Sequence, residues 1–168
     1  MSPPSWPRQV IPAGILAMSM AALGSTLVMQ FNFDLIPCML CLYQRILYAV
    51  TAILAAVALC LSPPRRRALV ALCGVVFGLN TVVALYHVGA ENHWWFTPIC
   101  TGSADSVLSL AELQFALEQP AGTPCDKVQW SLFGLSLSGY NIPASLGLAL
   151  FCLAAVKRKT WWRTSRHA

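Results

Sequence analysis

The sequence predicts an all-α integral membrane protein: a bundle of four transmembrane helices in one domain, 1–168, with a long outer loop carrying a short surface helix. Three observations carry this reading. The 168 residues are 57% hydrophobic and only 10% charged, against about 25% charged in a typical soluble domain. Four long apolar segments are separated by turn-forming or polar stretches. The basic residues are sorted to one side of those segments.

The first span, 10–30, carries no charge. Arg8 and four prolines (Pro3, Pro4, Pro7, Pro12) lie at its front. Its apolar run exceeds the ~7–15 residues of a signal-peptide core, so it is expected to stay in the protein. The second span, 42–61, carries one charge, Arg45. The third, 68–88, carries none and has His87 at its outer end. The fourth, 142–156, is uncharged but short of the ~17 residues usually needed to cross a bilayer. It is expected to start earlier, within "LFGLSLSGYNIP", or to sit in thinned lipid. Unpaired backbone groups are not tolerated in lipid, so all four are expected to be helices.

Charge sets the orientation. Arg8, the Arg65–Arg66–Arg67 run of "SPPRRR", and Lys157, Arg158, Lys159, Arg163 and Arg166 make nine of the eleven Lys and Arg. All nine fall on one side, the cytoplasmic side by the positive-inside rule. Both termini are therefore expected inside. The loops 31–41 and 89–140 are expected on the outer side, and all six acids lie on that side. The net charge of +5 reads as a topology signal. The basic residues hug membrane exits instead of forming one basic surface, which excludes nucleic acid as a partner.

Trp94, Trp95 and Phe96 after the third span, and Trp161 and Trp162 after the fourth, occupy interface positions. Within the long loop, Ser103 or Asp105 can cap a short helix that Pro120 and Gly122 end, lying on the membrane surface. Gly74 and Gly78, and the run Ala17, Ala21, Ser25, are small residues at helical spacing, suited to close packing in the bundle.

Topology divides the seven cysteines. Cys60, Cys73 and Cys152 fall within or at the cytoplasmic ends of spans and read as small packing residues. Cys38, Cys41, Cys100 and Cys125 fall outside, where disulfides persist. Cys38 and Cys41 form C-x-x-C at the mouth of the second helix. The partial positive charge of that helix end, and Arg45 one turn deeper, favour a thiolate at Cys41. Cys100 and Cys125 can form a disulfide within the long loop. Three readings fit the set: a structural staple, a four-cysteine zinc site, or a redox relay between a soluble partner and the membrane. The zinc reading matches poorly, because it lacks a second paired knuckle. Only the relay uses Arg45 and the membrane together. A charged residue one turn inside a span is a functional candidate, although Arg45 can also snorkel to the interface. A lone His87 at a helix end is more often a satisfied polar group, and His93 among tryptophans reads as interfacial.

At "PCMLCLYQR" the chain resembles the disulfide bond formation protein B family (DsbB), bacterial inner-membrane thiol:quinone oxidoreductases. The resemblance extends over the four spans, the pattern C-x-x-C-x-x-[QE]-R, the histidine ending the third span, and "CDKVQWSLFGLSLSGYNIP" after the last loop cysteine. It implies reoxidation of a periplasmic thioredoxin-fold dithiol oxidase (DsbA-like), with the electrons passing to ubiquinone or menaquinone of the membrane pool. It further implies that Cys100 takes the partner's attack, that Cys125 is its loop partner, and that Cys38 exchanges with Cys100. Cys41 faces the quinone, and Arg45 and His87 lie near it. Position 44 is Gln where the best-known members carry an acid, and no direct role follows for it. The vitamin K epoxide reductase-like proteins share a four-helix redox core, but their C-x-x-C comes late in the bundle. The non-enzyme alternative is a disulfide-stapled membrane scaffold that never cycles.

Overall fold

The computed structural model describes residues 6–95, 125–158 and 162. Helix α1 runs Trp6–Asn32, α2 Met39–Cys60 and α3 Pro63–Glu91. A two-stranded antiparallel hairpin, β1 Ser131–Leu132 and β2 Leu135–Ser136, leads directly into α4, Leu137–Lys157. All four helices are long and apolar enough to cross a membrane. The protein is an all-α, multi-pass membrane protein. The surface helix expected between Ser103 and Pro120 lies outside the described residues.

Each helix extends beyond its uncharged run, for a local reason. The fourth gains five residues at its start, because Ser136 accepts the Gly139 N–H at 3.1 Å and so caps it. Its 21 residues span about 31 Å, enough for the hydrocarbon layer. The third gains its first turn from Pro63 and Pro64, whose fixed φ suits the opening positions of a helix. The second gains its first turn from Cys38, described below. The hairpin was not foreseen. Its two-residue turn puts both Phe133 (φ 50°) and Gly134 (φ 81°) in the left-handed region, as a type I′ turn requires.

The large apolar side chains largely face outward, as lipid-exposed helices allow. Ile53, Val75 and Leu150 are all exposed. The interior is built from Ile15, Ala55, Val70, Cys73, Phe77 and Cys152, joined by polar pairs. Ser19 and Thr51 hydroxyls meet at 3.0 Å between α1 and α2, and Thr81 and Ser145 at 2.9 Å between α3 and α4. Small and hydroxylated residues are the usual adhesive where lipid removes the hydrophobic drive between helices. Gly74 serves that purpose: a Cβ there would stand 3.0 Å from Cys152 Cβ, so α3 and α4 approach closely at this point. Gly78 meets nothing, Ala17 and Ala21 are exposed, and the exposed Ser25 lines the cavity described below. The expected small-residue packing therefore holds at one glycine only.

The basic turn between α2 and α3 has a structural role. Arg66 is buried and donates to the carbonyls of Ala58 (2.8 Å), Leu59 (3.1 Å) and Leu61 (2.9 Å), which close the end of α2. Arg67 donates to Val156 O at 3.1 Å, near the end of α4. Helix C-termini leave carbonyls without intrahelical donors, and cations favour that end of the dipole. Arg66→Ala removes a donor from three carbonyls, of which Ala58 O keeps the Leu61 N–H at 3.3 Å. It is expected to cost about 1–3 kcal/mol, read as a lowered denaturation midpoint in detergent, with Arg66→Lys recovering only part. An unchanged midpoint for Arg66→Ala would refute this role.

Candidate redox site

Asn32 ends α1 and Met39 begins α2, so Cys38 falls at the N-cap, with extended backbone (φ −74°, ψ 169°). The first amides of a helix have no intrahelical acceptor. Here a sulfur fills that role: Cys38 Sγ accepts the Cys41 backbone N–H at 3.3 Å. The C-x-x-C spacing makes this possible, since it puts the second cysteine at the third helical position, whose amide points back at the cap. The two Sγ atoms then lie 2.8 Å apart, and both cysteines are free thiols. Closing them to a bond length of ~2.05 Å requires a movement under about 1 Å.

His87, near the end of α3, brings Nε2 to 3.5 Å from Cys38 Sγ. The Cys38 thiol is held well below the usual thiol range. The proton donated by the Cys41 side chain is the main cause, and burial opposes it; His87 and the Cys41 amide add to the lowering. In the dithiol state this arrangement favours charge on Cys38, which the Cys41 amide and His87 both approach. The expectation from spacing alone gave Cys41 the thiolate. The helix end serves Cys38 because Cys38, not Cys41, occupies the cap.

Arg45 lies one turn below Cys41, as expected, but its guanidinium reaches across to α1. It donates to Gln30 Oε1 at 2.7 Å and to Thr26 O at 3.3 Å. It lines, with Cys38, Cys41 and His87, a cavity of about 250 Å³. Ala22 and Met29 of α1, Leu35 of the short loop, and Leu137 and Ala144 of α4 supply its apolar wall. Cys125 is disulfide-bonded and buried, and packs in one cluster with Cys38 and Leu40, with Cys41 against it. Cys100 lies outside the described residues. Cys60 is exposed, while Cys73 and Cys152 are buried in the bundle core.

Four residues of the site were not anticipated. Gln44, buried one turn below Cys41, meets His87 Nδ1 at 3.2 Å. Asn141 of α4 donates to Gln44 Oε1 at 2.8 Å and accepts the Tyr48 hydroxyl at 2.6 Å. Glu91, one turn beyond His87, has Oε1 3.7 Å from Nε2 and accepts from the hydroxyls of Ser136 and Ser138. Their signals were present in the chain: Gln44 and Tyr48 follow Cys41 at helical spacing, Glu91 is four after His87, and Asn141 is an amide at the head of an apolar span, where polar groups tend to be functional.

Cys38, Cys41 and His87 place ligand-type atoms within 4.8 Å of one another. Two sulfurs on one tetrahedral zinc stand about 3.8 Å apart, wider than the 2.8 Å seen here. A zinc bound at this cluster would have to spread the pair.

The fold and site define a four-helix membrane protein that carries an openable thiol pair at the head of a helix. A family model described as disulfide bond formation protein DsbB matches residues 8–155. The chain is 31% identical over 137 residues to disulfide bond formation protein B 2 of Pseudomonas savastanoi pv. phaseolicola, covering 78% of each chain. It is 30% identical over 148 residues to disulfide bond formation protein B of Methylobacillus flagellatus, covering 80% of this chain and 84% of that one. It is 29% identical to disulfide bond formation protein B 2 of Pseudomonas putida, covering 92% and 94%. No solved structure matches significantly. The chain belongs to the DsbB family of disulfide bond formation proteins.

The Cys38 assignment predicts a titration. Because its pKa is depressed, the thiolate is present at neutral pH and persists as pH falls below the ~8.5 of a free thiol. In fully reduced protein, ultraviolet thiolate absorbance is expected to survive at about pH 6, well under that value. Cys38→Ser should abolish this low-pH signal, and His87→Ala should move it to higher pH. Retention of the signal in Cys38→Ser would put the charge on another sulfur.

Proposed function

We propose that this protein is a thiol:quinone oxidoreductase of the bacterial inner membrane. It reoxidises a periplasmic thioredoxin-fold dithiol oxidase and passes the electrons to membrane quinone, ubiquinone or menaquinone. The supporting observation is that the Cys38–Cys41 pair forms part of the wall of a cavity that is apolar on most sides and has the Arg45 cation on one. Apolar walls with a few convergent polar groups are how proteins hold small flat ligands. The residues present suit a quinone headgroup. Ala22, Met29, Leu35 and Ala144 would flank its ring, and Arg45 would supply a charge-assisted hydrogen bond to a carbonyl oxygen. When bound, the quinone supplies a two-electron, two-proton acceptor.

The protein's own contribution is to move sulfurs and hold charge. In the exchange, the partner's thiolate attacks Cys100 and displaces Cys125. The Cys125 thiolate then attacks Cys38 of the Cys38–Cys41 disulfide, whose bond breaks with its electron pair on Cys41. The partner's second thiolate displaces Cys100 and leaves as the partner disulfide. Cys100 attacks Cys125, restoring the loop disulfide and freeing Cys38, so that the Cys38–Cys41 pair ends as the dithiol that quinone reoxidises. The packing of Cys125 against Cys38 and Leu40 favours this route over direct exchange between Cys38 and Cys100, which the resemblance alone had suggested. Arg45 keeps positive charge beside Cys41 as that sulfur becomes the donor. The sum is partner dithiol plus quinone giving partner disulfide plus quinol.

The test is to mix the purified protein with a reduced thioredoxin-fold periplasmic oxidase and a quinone, and to follow quinone absorbance. One quinone lost per partner oxidised is expected, with turnover abolished in Cys41→Ser. Arg45→Met is expected to raise the quinone KM and lower kcat. No loss of quinone, or full activity in Cys41→Ser, would overturn the proposal.

A further inference from the structure

The side chains behind the sulfurs form a hydrogen-bond chain whose direction can be read from its ends. At one end, His87 Nε2 faces two acceptors: Cys38 Sγ at 3.5 Å and Glu91 Oε1 at 3.7 Å. A bare nitrogen lone pair there would confront a sulfur on which donors converge and a carboxylate. Nε2 therefore carries a proton. In a neutral imidazole the other nitrogen is then an acceptor, and Gln44 Nε2 meets Nδ1 at 3.2 Å. With its nitrogen so committed, Gln44 offers Oε1 to Asn141 Nδ2 at 2.8 Å. Asn141 in turn offers Oδ1 to the Tyr48 hydroxyl at 2.6 Å.

The orientation of amides is ordinarily an assignment made from the surrounding network, and here both ends agree on it. Reversing the chain would turn Asn141 Nδ2 toward Tyr48 and take away the acceptor of a buried hydroxyl. It would also oblige His87 either to present a lone pair to Cys38 or to become a cation.

We propose that Gln44 is a positioning residue: backed by Asn141 and Tyr48, it holds His87 as the neutral Nε2–H tautomer, with that N–H directed at Cys38. This deepens the redox reading of Cys38–Cys41 and rests on it for its functional meaning, though not for its geometry. The hydrogen bond stabilises the Cys38 thiolate, the form in which that sulfur attacks or leaves. A carboxylate at position 44 would have no N–H for Nδ1. It would instead accept from Nδ1–H and favour a charged ring. Glutamine against an acid at this position thus decides the charge that stands beside the sulfur pair. Glu91, Cys38 and Cys41 are the ionisable groups around the ring. The side chains approaching from α4, Ser138 and Asn141, are neutral, and Arg45 and Lys127 belong to the same cavity lining.

The test is nitrogen NMR of the fully reduced, ring-labelled protein, with the His87 signals identified by their loss in His87→Gln. The wild-type protein is expected to show Nε2–H and a bare Nδ1. Tyr48→Phe removes the proton that directs the chain and is expected to add an Nδ1–H population. Gln44→Glu is expected to protonate Nδ1. A wild-type ring protonated at Nδ1, alone or as imidazolium, would overturn the proposal without any variant having to fold. So would an unchanged ring spectrum in a folded Gln44→Glu protein. The quinone assay is read separately. An Nε2–H ring in a protein that reduces no quinone would sink the functional reading and leave this one standing.

Discussion

The site depends on one unusual cap. A sulfur, not a hydroxyl or carboxylate oxygen, receives the Cys41 amide, the third of α2. Because Cys38 is the cap, the partial positive charge of the helix end, the Cys41 side chain and His87 all converge on one atom. The arrangement favours charge on Cys38 while the pair is open, and it keeps the two sulfurs within a short movement of bonding. Moving the cap by one residue would turn the Cys41 side chain out of reach, since each helical position rotates the side chain by about a quarter-turn.

Three helices and the segment after Cys125 are needed to hold that atom. α2 presents both sulfurs, α3 delivers His87 and Glu91, and α4 supplies Asn141 and the serine that binds Glu91. α1 holds Arg45 through Gln30 and the Thr26 carbonyl. The inner rungs Ser19–Thr51 and Thr81–Ser145 keep the helices in register. In lipid, such polar pairs fix which faces meet. At the opposite end, Arg66 and Arg67 tie α2 and α4 to the start of α3. The same basic residues from which the sequence reading takes its orientation seal the helix ends.

Much of this was written in the order of residues. Nearly uncharged runs of bilayer length mark four spans, as the four long apolar helices bear out. The C-x-x-C before an apolar run marks the reactive pair, and Arg45 and His87 could be named because polar residues at span ends are few. What escaped is what depends on the third dimension. Helical spacing places Arg45 beneath Cys41, but only the position of α1 explains why its guanidinium turns toward Thr26 and Gln30. Spacing places Cys41 at the opening of α2, whereas the helix starts at Met39 and Cys38 is its cap. Gln44 had no visible partner until α3 and α4 came together around it. The hairpin at Ser131–Ser136 was hidden because Phe-Gly is a poor signal for a turn usually made by Asn-Gly. The span of α4 was legible only in part, since Gly139, Asn141 and Pro143 dilute its hydrophobic start.

The central claim is that electrons enter the membrane pair through contact between Cys125 and Cys38. It is most directly tested by mapping disulfides in Cys41→Ser, where Cys38 has lost its own partner. Non-reducing proteolysis and mass spectrometry should recover a peptide joining Cys38 to Cys125. A link from Cys38 to Cys100, or a Cys38 that stays a free thiol while the loop disulfide is intact, would contradict the account.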